Sequence, residues 1–283
     1  FLLNPNYSVP TINTNQEAPK ASNLKTLLEV NNVSIRFPIQ TNIFGKITKS
    51  FTAVDQITFD IKEGETLGLV GQSGCGKTTL GRSIVGLQTI NEGSIVYKGE
   101  TIAAPNKAYN PHYKKIIQLI FQDPYSSLHP RMRIGDAIAE PLLVHQIVQN
   151  KAASKERVIE MLEKVELPAD CFNKYPHEFS GGQRQRIVIA RALIMEPKFV
   201  ICDESVSALD VSVQAQVLNL LNNLKASMQF SALFITHDLS VVKYISDRIM
   251  VMNQGKIEEI GPAETVYHSP KSLYTQELIA SLP

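Results

Sequence analysis

The apolar run Thr66-Leu67-Gly68-Leu69-Val70 leads directly into Gly71-Gln72-Ser73-Gly74-Cys75-Gly76-Lys77-Thr78. This complete G-x-x-x-x-G-K-[ST] spacing constrains the fold more than any other part of the chain. A buried strand, a glycine loop and a helix, in that order, aim several free backbone N–H groups at one point, which suits a phosphate chain. Lys77 is then placed to reach the β- and γ-phosphates and Thr78 to help hold Mg²⁺, with Ser73, Cys75 and Thr79 in the same predicted contact. The reading is a nucleoside triphosphate site in an α/β chain.

A second glycine motif, Phe179-Ser180-Gly181-Gly182-Gln183, opens a stretch in which Ile187, Ala190 or Arg191, and Ile194 fall at helical spacing. By itself it could be an ordinary turn. At a helix start it is a second anion site, built from a hydroxyl, free N–H groups and the positive end of the dipole. One loop fills one phosphate chain, so the second motif is expected to serve a nucleotide elsewhere, as when paired chains complete each other's sites.

Three apolar runs end in chemistry. Phe199-Val200-Ile201-Cys202 reads as a buried parallel strand delivering Asp203 and Glu204 at its carboxyl end. Asp203 would support Mg²⁺, while Glu204 would orient or deprotonate the attacking water and is the chosen base. His237 follows Ala232-Leu233-Phe234-Ile235 and can donate to a γ-phosphate. Gln122 follows the run 116–121, and its amide can meet both metal and water.

Taken in order, these motifs resemble the nucleotide-binding subunit of an ATP-binding cassette (ABC) transporter. The match runs from about Leu27 to Pro283: phosphate loop, Phe121-Gln122-Asp123, Ser180 to Gln183, Phe199 to Glu204, Ser207-Ala208-Leu209-Asp210, and Ile235-Thr236-His237-Asp238. The resemblance implies a P-loop NTPase (RecA-like) α/β core with an antiparallel β subdomain and an inserted α-helical subdomain. It places the ATPase domain at 25–262, the helical insert at about 123–180 and a C-terminal segment at 263–283. Within the insert, Ile134 to His145 and Lys155 to Val165 suit amphipathic helices, the second with Val158, Met161, Leu162 and Val165 on one face.

The same resemblance implies ATP and Mg²⁺ as cofactors, with a second cassette and integral membrane permease subunits as partners. A solute-binding protein would be an indirect partner, and the place of work would be the cytoplasmic face of the cell membrane. Residues 122–132, 202–216 and the tail around His268-Ser269-Pro270 resemble the dipeptide, oligopeptide and nickel importer branch. Ser205 stands where proline often follows the glutamate, and Phe179 replaces the commoner leucine of the signature; neither removes a catalytic group. The family stacks adenine on an aromatic from the first strand region, for which Phe37 is best placed and Phe44 and Phe51 are substitutes.

Composition limits the rivals. With 28 basic and 27 acidic residues the net charge is +1, which gives no electrostatic case for nucleic acid. The rival is a soluble ABC ATPase acting on DNA or ribosomes, and the absence of a coiled-coil insertion or basic patch between the two glycine motifs counts against it. A non-hydrolysing regulatory cassette is disfavoured because Glu204 and His237 are intact. Cys75, Cys171 and Cys202 are far apart and odd in number, which suggests free thiols in a reducing compartment. Cys75, next to a helix start, is expected to have a lowered thiol pKa, or merely to fit the loop. No apolar stretch is long enough to cross a membrane. Residues 1–24, rich in Asn, Thr, Pro and Ser, read as a linker or disordered arm of an excised or tandem cassette, and because the sequence stops at Pro283, before the cysteine-bearing extension that members of this branch often carry, no metal cluster is expected in it.

Overall fold

The computed structural model describes residues 25–41 and 47–281, so the linker reading and Phe44 lie outside the described residues. Two long strands, β1 (Thr26–Thr41) and β2 (Ile47–Lys62), pair antiparallel and are joined by β4 (Glu92–Tyr97) and β5 (Glu100–Ala103) in the order β2-β1-β4-β5. The apolar face survives a break in the alternation. Register shifts between Val30 and Val33 let both residues stay inside, opposite Phe59 and Ile57.

A second sheet of six strands has the order β10-β9-β3-β8-β7-β6. Its members are β3 (Thr66–Val70), β6 (Ile117–Ile120), β7 (Phe199–Asp203), β8 (Ser231–Thr236), β9 (Arg248–Asn253) and β10 (Lys256–Pro262). All pairs are parallel except β10 on β9. β3, β7 and β8 are buried at every residue, as continuous apolar runs covered on both faces must be.

The alternation of side chains divides the core. Leu67, Leu69, Phe199, Ile201, Leu233 and Ile235 pack with the antiparallel sheet and with α1 (Lys77–Ile84), while Val200, Cys202 and Phe234 face the helices. Those helices are α3 (Pro124–Ser127), α4 (Ile134–Val144), α5 (Lys151–Lys164), α6 (Gly181–Leu193) and α7 (Val211–Met228); α2 (Tyr113–Ile116) leads into β6. The stripe Val158, Met161, Leu162 and Val165 is buried against α4 and α6. α8 (Leu239–Ile245) packs on β3, and α9 (Ala263–His268) and α10 (Leu273–Ala280) close a third cluster around Val70, Val242 and Val251.

Candidate functional site

In the sheet order β3-β8-β7-β6, each strand hands predicted site residues to the same carboxyl edge. The phosphate loop follows β3, His237 follows β8, Asp203 ends β7 with Glu204 directly after it, and Gln122 follows β6. Residues distant in sequence therefore converge where a parallel sheet presents its ligands.

The loop is held open by sterics on one side. Gly76, the N-cap of α1, sits at φ +107°, and a Cβ there would lie 2.1 Å from the carbonyl oxygen of Ala53. A Cβ on Gly71 would meet the Met252 carbonyl oxygen at 2.0 Å. Gly74 has open space and, with Gln72, Ser73 and Cys75, lines a cleft of about 420 Å³ together with Phe51 and the turn Asn253–Gly255. That turn is tied down on both sides: Gly255 N–H donates to Cys75 O at 3.0 Å, and Asp55 N–H donates to Gly255 O at 2.8 Å.

The Lys77 side chain is buried and folds back on its own loop, donating to Gly71 O at 2.7 Å and Gln72 O at 2.9 Å. Two carbonyls satisfy an ammonium that would otherwise be costly to bury. Thr78 Oγ1 donates to Asp203 Oδ1 at 2.9 Å, and Thr79 is half-buried on the same turn. Burial pushes the Asp203 carboxyl above its ordinary range, opposed by the Thr78 hydrogen bond and by Arg82. The Thr78 hydroxyl and the Asp203 carboxylate, with the Gln122 amide on the adjoining Glu204, offer oxygen donors of the kind that fits Mg²⁺ supplemented by phosphate and water.

Gln122 Nε2 donates to Glu204 Oε2 at 2.7 Å, and His237 Nδ1 stands 3.8 Å from Glu204 Oε1, beyond hydrogen-bond reach. Glu204 itself has φ +47°, an unusual angle for a residue with a Cβ. Its N–H donates to Ile235 O on β8 at 2.9 Å, and its carbonyl accepts from the Ser207 hydroxyl at 2.9 Å. The chain thus turns sharply at the strand end and leaves the carboxylate pointing along the edge. Strain of this kind is kept where surrounding bonds over-determine it.

Ser180 caps α6 in a reciprocal box. Ser180 N–H donates to Gln183 Oε1 at 3.0 Å, and Gln183 N–H donates to Ser180 Oγ at 3.4 Å. Gly181 faces Leu209, and a Cβ on Gly182 would lie 2.4 Å from Val213 Cγ1, so this helix start packs on the entry to α7. Among the described residues, Ser180 to Gln183 make no hydrogen bond to the phosphate loop. The segment after Gln122 leans on the same helix, with the Arg184 guanidinium 4.3 Å from the Tyr125 ring centre and Arg191 donating to Ser127 O at 2.8 Å.

Two expectations change. Phe37 stands across the ladder from Phe51, but it packs half-buried against the core and is not part of the cleft lining, whereas Phe51 is 52% exposed and lines it. The Cys75 thiol is pushed up, not down, because it is buried in the core under the loop, and the Lys77 charge only partly offsets this. Cys171 and Cys202 are buried as well, the Cys202 thiol pushed up to about 12 by burial. The turn Asn253–Gly255 was not foreseen, since in sequence it is an ordinary hairpin turn.

The model of the family described as "ABC transporter" matches residues 54–207. The oligopeptide transport ATP-binding protein OppF of Streptococcus mutans is 52% identical over 92% of this chain and 83% of its own length. The glutathione import ATP-binding protein GsiA of Pectobacterium atrosepticum is 48% identical over 91% of this chain, which spans 41% of that protein. A solved dimer of the ATP-binding cassette MJ0796, bound to ADP and Pi, is similar in fold: TM-score 0.72, 24% identity, 84% of this chain and 99% of that one. On the family match and the identity to OppF over most of its length, the chain belongs to the ATP-binding subunits of the ABC transporter family.

Proposed function

We propose that the chain is the ATP-hydrolysing subunit that powers an ABC importer of peptides or related small solutes. The observation that carries this reading is the meeting of Lys77, Thr78, Asp203, Glu204, Gln122 and His237 on one sheet edge. The names of the OppF and GsiA relatives, for oligopeptide transport and glutathione import, support the solute class.

In this reading the ATP phosphates lie along the backbone of the loop 71–78, and Lys77 exchanges its loop carbonyls for phosphate oxygens, which are stronger acceptors. Thr78, Asp203 and Gln122 would hold Mg²⁺, which would supply positive charge against the phosphates. Glu204 takes a proton from water as the water oxygen attacks the γ-phosphorus, and ADP leaves with the bonding electrons. Gln122, already on Glu204, orients that water, and His237 donates to the γ-phosphate. Adenine stacks on Phe51, the exposed ring of the cleft, in place of Phe37.

Ser180 to Gln183 serve the nucleotide of a second cassette, a pairing for which the dimeric MJ0796 cassette is the parallel. No helix among the described residues is long and apolar enough to cross a membrane. The chain works at the cytoplasmic face of the cell membrane through integral permease subunits, with a solute-binding protein as an indirect partner.

The test is a pair of variants. Glu204→Gln should keep ATP binding and lose turnover by about a hundredfold or more, the contribution of a positioned base. Lys77→Ala should lose binding. Parental turnover in Glu204→Gln would refute the base, and identifying the membrane proteins that co-purify with the chain checks the transport half of the reading.

A further inference from the structure

We propose that Tyr274 is a positioning residue for the phosphate loop, acting through a strap that the C-terminal helix α10 lays against Gln72. The backbone N–H of Gln72, second residue of the loop, donates to the Tyr274 phenol oxygen at 3.3 Å, across 202 positions of sequence. The ring packs against the cluster that contains Val70, the last residue of β3 before the loop. One side chain therefore joins the cluster under the loop to the loop's own backbone.

The strap is anchored at its base. The Glu259 carboxylate on β10 accepts from the N–H groups of Lys271 (3.0 and 3.1 Å) and Ser272 (3.0 Å), fixing the entry to α10, and Thr275 is fully buried one residue past the tyrosine. Burial raises the Tyr274 phenol above its ordinary value, so the oxygen meets the loop as a neutral acceptor at physiological pH.

Gln72 is the residue on which this contact has most effect. Its carbonyl accepts from Lys77 Nζ at 2.9 Å and from Cys75 N–H at 3.3 Å, while Tyr274 holds its N–H. When Lys77 moves to a phosphate, the carbonyl loses one partner. The N–H held by Tyr274 then keeps the loop backbone from rotating, so less ordering is left for ATP to impose.

This inference rests on reading the loop as the ATP site, and the experiment separates the two. The full 283-residue chain is compared with Tyr274→Phe, which keeps the ring and removes only the oxygen. ATP Kd and KM should rise by about two- to fivefold, the share of one hydrogen bond, while kcat at saturating ATP shifts by less. Hydrogen exchange of the peptide covering residues 71–77 should speed up without a matching change elsewhere, and the melting temperature should stay put. Unchanged Kd and loop exchange overturn the proposal, as does a fall in melting temperature that accounts for the weaker binding. A parental chain that binds no ATP overturns the functional reading instead.

Discussion

Asp203 is asked to be buried and charged at once. Its carboxyl lies at the end of a fully buried strand, and burial raises its pKa above the ordinary carboxylate value while the Thr78 hydroxyl and Arg82 pull it back. A carboxyl whose pKa is higher in the fold than in the unfolded chain favours the fold in its protonated form, so its ionisation at neutral pH is destabilising. Asp203→Asn, which keeps an oxygen to accept from Thr78, should therefore raise the melting temperature of the nucleotide-free protein at pH 7. The gap should narrow as pH falls through the raised pKa towards the ordinary value of about 3.9, where the aspartate also becomes neutral. Hydrolysis should be lost in the same variant, because in the proposed function Asp203 is the anionic support for Mg²⁺. Scanning calorimetry at pH 7 and at the lowest pH that keeps the fold decides it, and a lower melting temperature for the Asp203→Asn variant at pH 7 would refute the argument. Stability given up at one residue for function is a common trade.

At the scale of elements, the start of α6 separates two glycines that look alike in sequence. Gly182 faces Val213 so closely that an added Cβ would sit 2.4 Å from its methyl group, whereas Gly181 has only Leu209, at 3.7 Å. Gly182→Ala should destabilise by about 1 kcal/mol through overpacking against a β-branched neighbour. Gly181→Ala should be neutral or slightly stabilising, since alanine suits a helix better than glycine. Urea midpoints of the two variants check this, and equal shifts would contradict it. The contrast also marks what the sequence makes legible. Spacing showed that Ser180-Gly181-Gly182-Gln183 opens a helix, and strand-then-loop order showed Gly71 to Thr78, because each is a local pattern. Partners across the fold were not legible: Phe51 rather than Phe37 in the cleft, the turn Asn253–Gly255 under the loop, and the left-handed angle of Glu204 all depend on which strands become neighbours. Of the two readings of Cys75, the lowered thiol pKa fails for the same reason, since a helix start is visible in sequence and the core that buries the thiol is not.

At the scale of the whole molecule, the described residues hold the phosphate loop at the start of α1 and a second glycine-bearing helix start at α6. The second, at Ser180, is capped by its own Gln183 and lies beside the entry to α7, where Val211 is 83% exposed. An exposed apolar residue next to an anion-ready helix start is a surface that gains from a partner bringing both a nucleotide and an apolar patch. In a pair of cassettes each Ser180 helix would meet the triphosphate on the other chain, so the nucleotide becomes part of the interface and its binding energy favours association. Hydrolysis would remove that bridge, and Glu204→Gln should preserve it. Sedimentation of Glu204→Gln should thus show a monomer without nucleotide and a dimer with Mg-ATP, while Ser180→Arg, which brings bulk and positive charge to the helix start, should abolish the dimer and leave ATP binding at the phosphate loop intact. A strict monomer with Mg-ATP at high protein concentration would refute self-pairing, and the partner would then have to be a different cassette.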